Sequence, residues 1–398
     1  MSRPRVLLIL GYFDWFAGYQ EAALAPWLAR HAEVEVVASD RVSPMFSDEH
    51  LSRLGIPRRY EIRSSAERGL RVTRFPCAEW RGMVWSGEAR RYVAAQHYDA
   101  ILQVMPGQGL PLAGTLIRSK AYRASLYGDN SAMWSHLSPL ARVAKGAAFA
   151  ATKGVAYTAV NARAQAVYGY TPETVGRLRL FSAGRAMRVL PLAFDPERFF
   201  FDPTLRRRAR AEYGFGDDDI VVIAAGKYQD KKRLDLLLDA TEAALATIPN
   251  LRLLIAGVDT TTSAAPLLQR VAKSPAVAER TTFRGFLDTQ TLNEAFNAAD
   301  IGAWPRMPAI TIQQAMGTGL KVVIPRNPWV SHLITNGAGT YFVESNPEGT
   351  EQLTQALVSE ASSGLADNAR GARVRGNSWL GADRVAHTVL SDAGLVTS

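Results

Sequence analysis

The 398-residue sequence has one cysteine, Cys77, so no disulfide can form within the chain and a reducing, cytoplasmic setting is expected. No apolar run approaches the roughly 20 residues that a membrane-crossing helix requires. The first such run, LLIL, stops at Gly11 and reads as a buried strand rather than a secretion signal. The six histidines are scattered, with no two at metal-ligand spacing, so no protein-held catalytic metal and no cofactor are expected. Repeats and low-complexity tracts are also missing. Acids are scarce in one region. Residues 51–190 carry 21 Lys and Arg against 7 Asp and Glu, whereas the remainder carries 25 against 30. Such asymmetry suits an anionic partner: a membrane surface, a phosphorylated acceptor or a nucleic acid. Arginine bias from a GC-rich genome is the plain alternative.

What is present is an alternation of short apolar runs with helical periodicity. RVLLIL (5–10), VEVVAS (34–39), DAILQVM (99–105), RASLYG (123–128), VAYTAV (155–160) and MRVLPLA (187–193) read as strands of a first doubly wound parallel sheet. After a polar, basic stretch with two Asp-Pro pairs, a second series begins. Its strands are IVVIAAG (220–226), LRLLIAG (251–257), TTFRGF (281–286), DIGAWP (300–305), LKVVIP (320–325) and GTYFVE (339–344). The expected domains are 1–195 and 196–375, with a last helix in 376–398 packing back on the first. Two such domains in tandem would share a cleft at the carboxyl ends of their strands, where open α/β sheets bind ligands. Residues 58–91 mix arginines with Phe75, Trp80, Met83 and Trp85. That mix suits a membrane interface or a nucleic-acid strand, or a solvated face over core residues.

Several stretches resemble one family, the family-4 glycosyltransferases, which are retaining enzymes of the GT-B fold. AAGKYQDKKRLDLLLDA is similar to the family's strand, Gly-Arg, and a Lys five residues after that Arg. TTFRGFLDTQTLNEAFNAADIGAWP resembles its base-contacting loop, helix and next strand. PRMPAITIQQAMGTGLKVV resembles its acid-x7-acid loop and helix. In the first half, GYQEAALAPWLARHAEVEVVAS is similar to the Gly-rich turn, first helix and second strand. VLPLAFDPERF resembles the segment that joins the domains. The resemblance implies two Rossmann-like domains facing a cleft, the first for the acceptor and the second for a nucleotide-sugar donor.

The site residues follow from this. Gly226, Lys227 and Lys232 match the segment that grips the donor diphosphate, with Lys227 in place of an arginine and so without its bidentate fork. Phe286 lies in the loop expected at the base. The helix starting near Ile310 would direct the N–H groups of Ala309, Ile310, Thr311 and Ile312 at an anion, and its dipole favours one there. Arg306 and Gln314 stand where the family has its two acids. Gln314 retains an acceptor oxygen for ribose hydroxyls, weaker because neutral. Arg306 can only donate, which suits an acidic sugar, or it turns back on the diphosphate. Gly18 matches the glycine turn under the donor phosphate. Asp129, in YGDNSAMWSH, is the candidate for orienting or deprotonating an acceptor hydroxyl, ahead of His136. PGQGLPLAG (106–114) reads as a plain strand–helix turn. The expected activity is retaining, metal-independent sugar transfer to an anionic or lipid-linked acceptor in cell-surface glycan assembly, at the inner face of the membrane. A nucleic-acid acceptor is one alternative. Another is a non-catalytic sugar-nucleotide binder.

Overall fold

In a computed structural model, every residue is described here except 1–2, 62–63, 81, 129–136, 229–231, 259–263, 307, 336, 345–347, 364 and 398. The chain forms two compact units: Met1–Leu192 with Ala382–Ser398, and Ala193–Gly381.

The first unit is built on β1 (Arg5–Ile9), β2 (Glu33–Ser39), β3 (Ser64–Glu67), β4 (Leu70–Phe75), β7 (Ala100–Val104), β8 (Tyr122–Tyr127), β9 (Ala166–Gly169) and β10 (Met187–Val189), with β5 (Ala78–Trp80) and β6 (Met83–Trp85) as a separate hairpin. The sheet order is β10-β9-β8-β7-β1-β2-β4-β3, parallel except that β3 runs antiparallel along β4 at the edge. Strands β1 and β7 are covered on both faces, which is why they read as unbroken apolar runs. The arginine-rich segment after residue 58 is therefore partly core. Phe75 is buried, and Arg74 is buried with its guanidinium over the Tyr60 ring and on the Glu67 carboxylate. Trp80 of the hairpin is exposed.

One sequence expectation fails. VAYTAV is not a strand but the start of the helix Val155–Asn161, which buries Tyr157, Val160 and Asn161. That i, i+3, i+4 spacing places all three on one helical face, and the alanines favour the helix. The strand of this region is AVYG, β9. The helix Ala382–Asp392 belongs to this first unit. Asp392 accepts hydrogen bonds there from Tyr168 and Arg188.

The second unit has β11 (Ile220–Ala225), β12 (Leu251–Ala256), β13 (Thr281–Arg284), β14 (Ile301–Ala303), β15 (Lys321–Pro325) and β16 (Gly339–Phe342). They pair only in parallel, in the order β13-β12-β11-β14-β15-β16. Counted from β11, this is the 3-2-1-4-5-6 arrangement of a Rossmann sheet. Alternate side chains feed two cores. Val221, Ile223, Val322 and Ile324 pack on one face, and Val222, Leu253, Ile255 and Val323 on the other. The order reverses between β11 and β14. The carboxyl ends of those two strands diverge into loops there, leaving the crevice in which such sheets hold ligands.

Candidate donor-nucleotide site

The geometry of the crevice begins with backbone. β11 ends at Gly226, whose φ of +129° is inaccessible to most side chains. A Cβ on Gly226 would stand 2.7 Å from the Lys232 Nζ and 3.6 Å from the Thr311 Oγ1. The missing side chain thus lets Lys232 fold over the strand end. Gly257, at the end of β12, also has a positive φ, and a Cβ there would meet the Gly226 carbonyl at 2.6 Å. Two glycines let adjacent strand ends close up beneath the crevice.

On the other side of the reversal, β14 leads into Trp304, Pro305 and Arg306. The Trp304 indole N–H donates to the Ala225 carbonyl at 2.9 Å and to the Thr311 Oγ1 at 3.1 Å. The Thr311 hydroxyl in turn donates to the same carbonyl at 2.8 Å. This triangle fixes the first turn of the helix Ile310–Gly317 against the end of β11. Ala309 is its N-cap, extended and without a side-chain hydrogen bond. No capping side chain consumes its N-terminal N–H groups, but the Ile312 N–H, expected to face an anion, instead donates to the Ala309 carbonyl at 3.1 Å. The Gln314 Oε1, on the same helix, is buried without a partner among the described residues. An orphan buried acceptor costs about 1–3 kcal/mol; the Gln313 Oε1 on the same helix is another among the described residues.

Gly226, Lys232, Leu234, Trp304, Pro305 and Arg306, with Ala224, Ala225, Ala256 and Ala303, line a shallow recess open to solvent. The structure therefore brings together Gly226, Lys232, Arg306 and the helix start. Lys227 follows Gly226 but is exposed and does not line this recess. Phe286 lies just after β13 in the same unit and is 68% exposed. In the first unit, Gly18 has a φ of +62° and ends a short 3-10 turn two residues before the helix Gln20–Leu28, with open space around it. Asp129 and His136 lie outside the described residues.

Several residues escaped the sequence reading. The carboxylate of Glu344, just beyond β16, lies 3.1 Å from the Arg306 Nε and 4.0 Å from an Arg233 nitrogen. Burial raises the Glu344 pKa, while Arg306 and Arg233 hold it down. Arg233 has a left-handed φ of +55°, and its Nε is held by both oxygens of Asp235. Nothing in the spacing of these residues announces the cluster, because three loops must converge to form it. In the first unit the sheet also reverses, between β1 and β7. The Gln108 side chain crosses there to accept from the Gly11 N–H at 3.0 Å, which gives the PGQG turn a structural task. His332 is buried with neither ring nitrogen partnered among the described residues, and desolvation pulls its pKa down to about 4. Among the described residues, no group of His, Cys, Asp or Glu is arranged to hold a metal ion.

Comparison with known proteins agrees with this architecture. Residues 219–360, which contain the recess, match the family described as Glycosyl transferases group 1. The chain is 28% identical over 211 residues to a GDP-mannose-dependent alpha-(1-6)-phosphatidylinositol monomannoside mannosyltransferase of Mycolicibacterium smegmatis, a match covering 50% of this chain. The match spans 53% of that relative, about half of its length. Among solved structures, sucrose-phosphate synthase of Thermosynechococcus elongatus superposes with a TM-score of 0.67 at 18% identity, covering 98% of each chain. HepE of Anabaena, solved in complex with UDP, gives a TM-score of 0.66 at 17% identity over the whole of both chains. These likenesses show the fold, that of GT-B glycosyltransferases.

Proposed function

We propose that the chain is a retaining glycosyltransferase that draws a sugar from a nucleoside-diphosphate donor and passes it to an anionic or lipid-linked acceptor at a membrane surface. The observation that carries this reading is the Lys232 ammonium, seated over the side-chain-free Gly226 and beside Thr311 where the sheet order reverses. Lys232, with the uncapped start of the helix Ile310–Gly317, makes a cradle of charge and N–H donors for a diphosphate. Lys227 adds a second, exposed cation that can close on a bound ligand.

Phosphate contacts of this kind gain strength as the leaving group collects charge, so the cradle acts on the rate and not only on affinity. In the step, the bond from the anomeric carbon to the diphosphate oxygen breaks as the bond from the acceptor oxygen to that carbon forms on the same face. The acceptor proton passes to an oxygen of the departing diphosphate. This route requires no protein base, and the residues of the recess supply none. Gln314, with its unpartnered oxygen, takes a ribose hydroxyl. Arg306 is already paired with Glu344, which favours a neutral transferred sugar over an acidic one. The HepE structure holds UDP and the mycobacterial relative is named for GDP-mannose, so both bases are candidates here.

The acceptor side rests on charge and exposure in the first unit. The helix Pro139–Phe149 buries none of its residues, and Leu140 and Val143 are 80% and 70% exposed beside Arg142 and Lys145. Leu180, at 87%, is exposed next to Arg179. Apolar side chains among cations are what an anionic bilayer surface selects. The test is release of nucleoside diphosphate from UDP-glucose and GDP-mannose, with and without a lipid extract. The proposal expects release from at least one donor, faster with acceptor lipid. Binding without any release would favour a non-catalytic binder, and acceleration by nucleic acid instead of lipid would favour a nucleic-acid acceptor.

A further inference from the structure

We propose that Glu344 supplies the sugar-binding carboxylate that is missing at position 306, and that Arg306 is the positioning residue that holds it there. The inference deepens the reading of this recess as a nucleotide-sugar site and rests on that reading.

The first argument is a census of donors and acceptors. Lys232, Arg306 and the helix N–H groups all donate. That suits a diphosphate but leaves the hydroxyls of a sugar, which must also donate, with few partners. Gln314 offers one neutral oxygen. Glu344 is the carboxylate that reaches Arg306, a residue lining the recess.

The second argument is where the contacts fall. Both ion pairs of Glu344, to the Arg306 Nε at 3.1 Å and to the Arg233 Nη1 at 4.0 Å, are made by Oε1. The second carboxylate oxygen, Oε2, is the one assigned here to the sugar hydroxyls. A charged acceptor gives a shorter and stronger hydrogen bond than an amide oxygen would.

The third argument is strain. Arg233 adopts a left-handed φ of +55° at the start of the helix Leu234–Ala244, a conformation that favours glycine. Such strain persists where surrounding contacts over-determine it, and it gathers at functional sites. Here Asp235 clamps the guanidinium from one side and Glu344 meets it from the other. An exposed surface ion pair would be worth little and would not justify the strain. Here the pair is partly buried, and Arg306, one of its members, lines the recess.

The test is titration of UDP, UDP-glucose, GDP and GDP-mannose against the wild type, Glu344→Gln and Arg306→Gln, each first confirmed to unfold cooperatively. For the base that the wild type prefers, Glu344→Gln should keep the affinity for the diphosphate within about threefold while losing about tenfold or more for the sugar conjugate, the loss of a charge-assisted hydrogen bond. Arg306→Gln should show the same split to a smaller degree. Equal losses for diphosphate and conjugate, or no loss for the conjugate, would overturn the role of Glu344. Failure of the wild type to bind either diphosphate would overturn the donor-site reading itself, and this inference with it.

Discussion

At the scale of single residues, the site depends on what is left out as much as on what is present. Gly226 has no Cβ, so Lys232 can reach over it; Ala309 has no side-chain oxygen, so no side chain caps the helix start. Gly226, Lys232 and Arg306, which the structure gathers at one recess, were singled out in the sequence because each sits at a fixed distance from a recognisable strand end; Gln314 was named with them but does not line that recess. Glu344, Arg233 and Trp304 were not singled out. Each acts through a neighbour that is remote in sequence, and no periodicity encodes such convergence. His332 was equally silent, though it controls a measurable property. Burial lowers its pKa from 6.5 to about 4, so the folded protein resists its protonation. As pH falls below 6.5 the unfolded chain takes up the proton first, and stability declines until pH nears 4. The expected loss is on the order of 3 kcal/mol at most. Urea unfolding of wild type and His332→Leu between pH 7 and 4 should show the wild type alone losing this increment. Parallel curves would mean that His332 titrates normally.

At the scale of elements, strands were easier to read than helices. Every strand of the second unit falls inside its expected apolar run, because a sheet covered on both faces needs continuous apolar sequence. VAYTAV met the same criterion and is a helix, since a short apolar run has no intrinsic period and neighbouring packing decides it. The helix Ile310–Gly317 is the element on which function turns. Its N-cap, Ala309, is extended and lacks a hydrogen-bonding side chain, an arrangement that sacrifices helix stability. Ala309→Asp should therefore raise the stability of the ligand-free protein by about 1 kcal/mol through capping and the dipole. The same carboxylate would repel a diphosphate, so affinity should fall about tenfold or more. Thermal unfolding and titration on the same preparation check both halves. A variant that gains stability and binds the nucleotide unchanged would place the diphosphate elsewhere.

At the scale of the whole molecule, the charge asymmetry read from sequence follows the division of the chain into units. The cations of residues 51–190 belong to the first unit, with the exposed apolar side chains Leu140, Val143, Val155 and Leu180. The recess belongs to the second unit. Among the described residues, no helix is long and apolar enough to cross a membrane. Vesicles containing phosphatidylserine or phosphatidylinositol should carry the protein upward in a density gradient, and neutral phosphatidylcholine vesicles should not. Leu140→Asp with Val143→Asp should reduce that recovery severalfold while leaving nucleotide binding intact, because these residues lie outside the recess. Equal flotation of the double variant would remove this helix from the membrane contact.

The central claim is that Lys232 and the uncapped helix start hold a nucleoside diphosphate. Calorimetric titration of UDP and GDP into wild type and Lys232→Gln tests it most directly. The account predicts saturable binding of at least one of the two to the wild type, weakened about tenfold or more in the variant by loss of a charge-assisted contact. Equal affinity in both proteins, or no binding to the wild type, would contradict it.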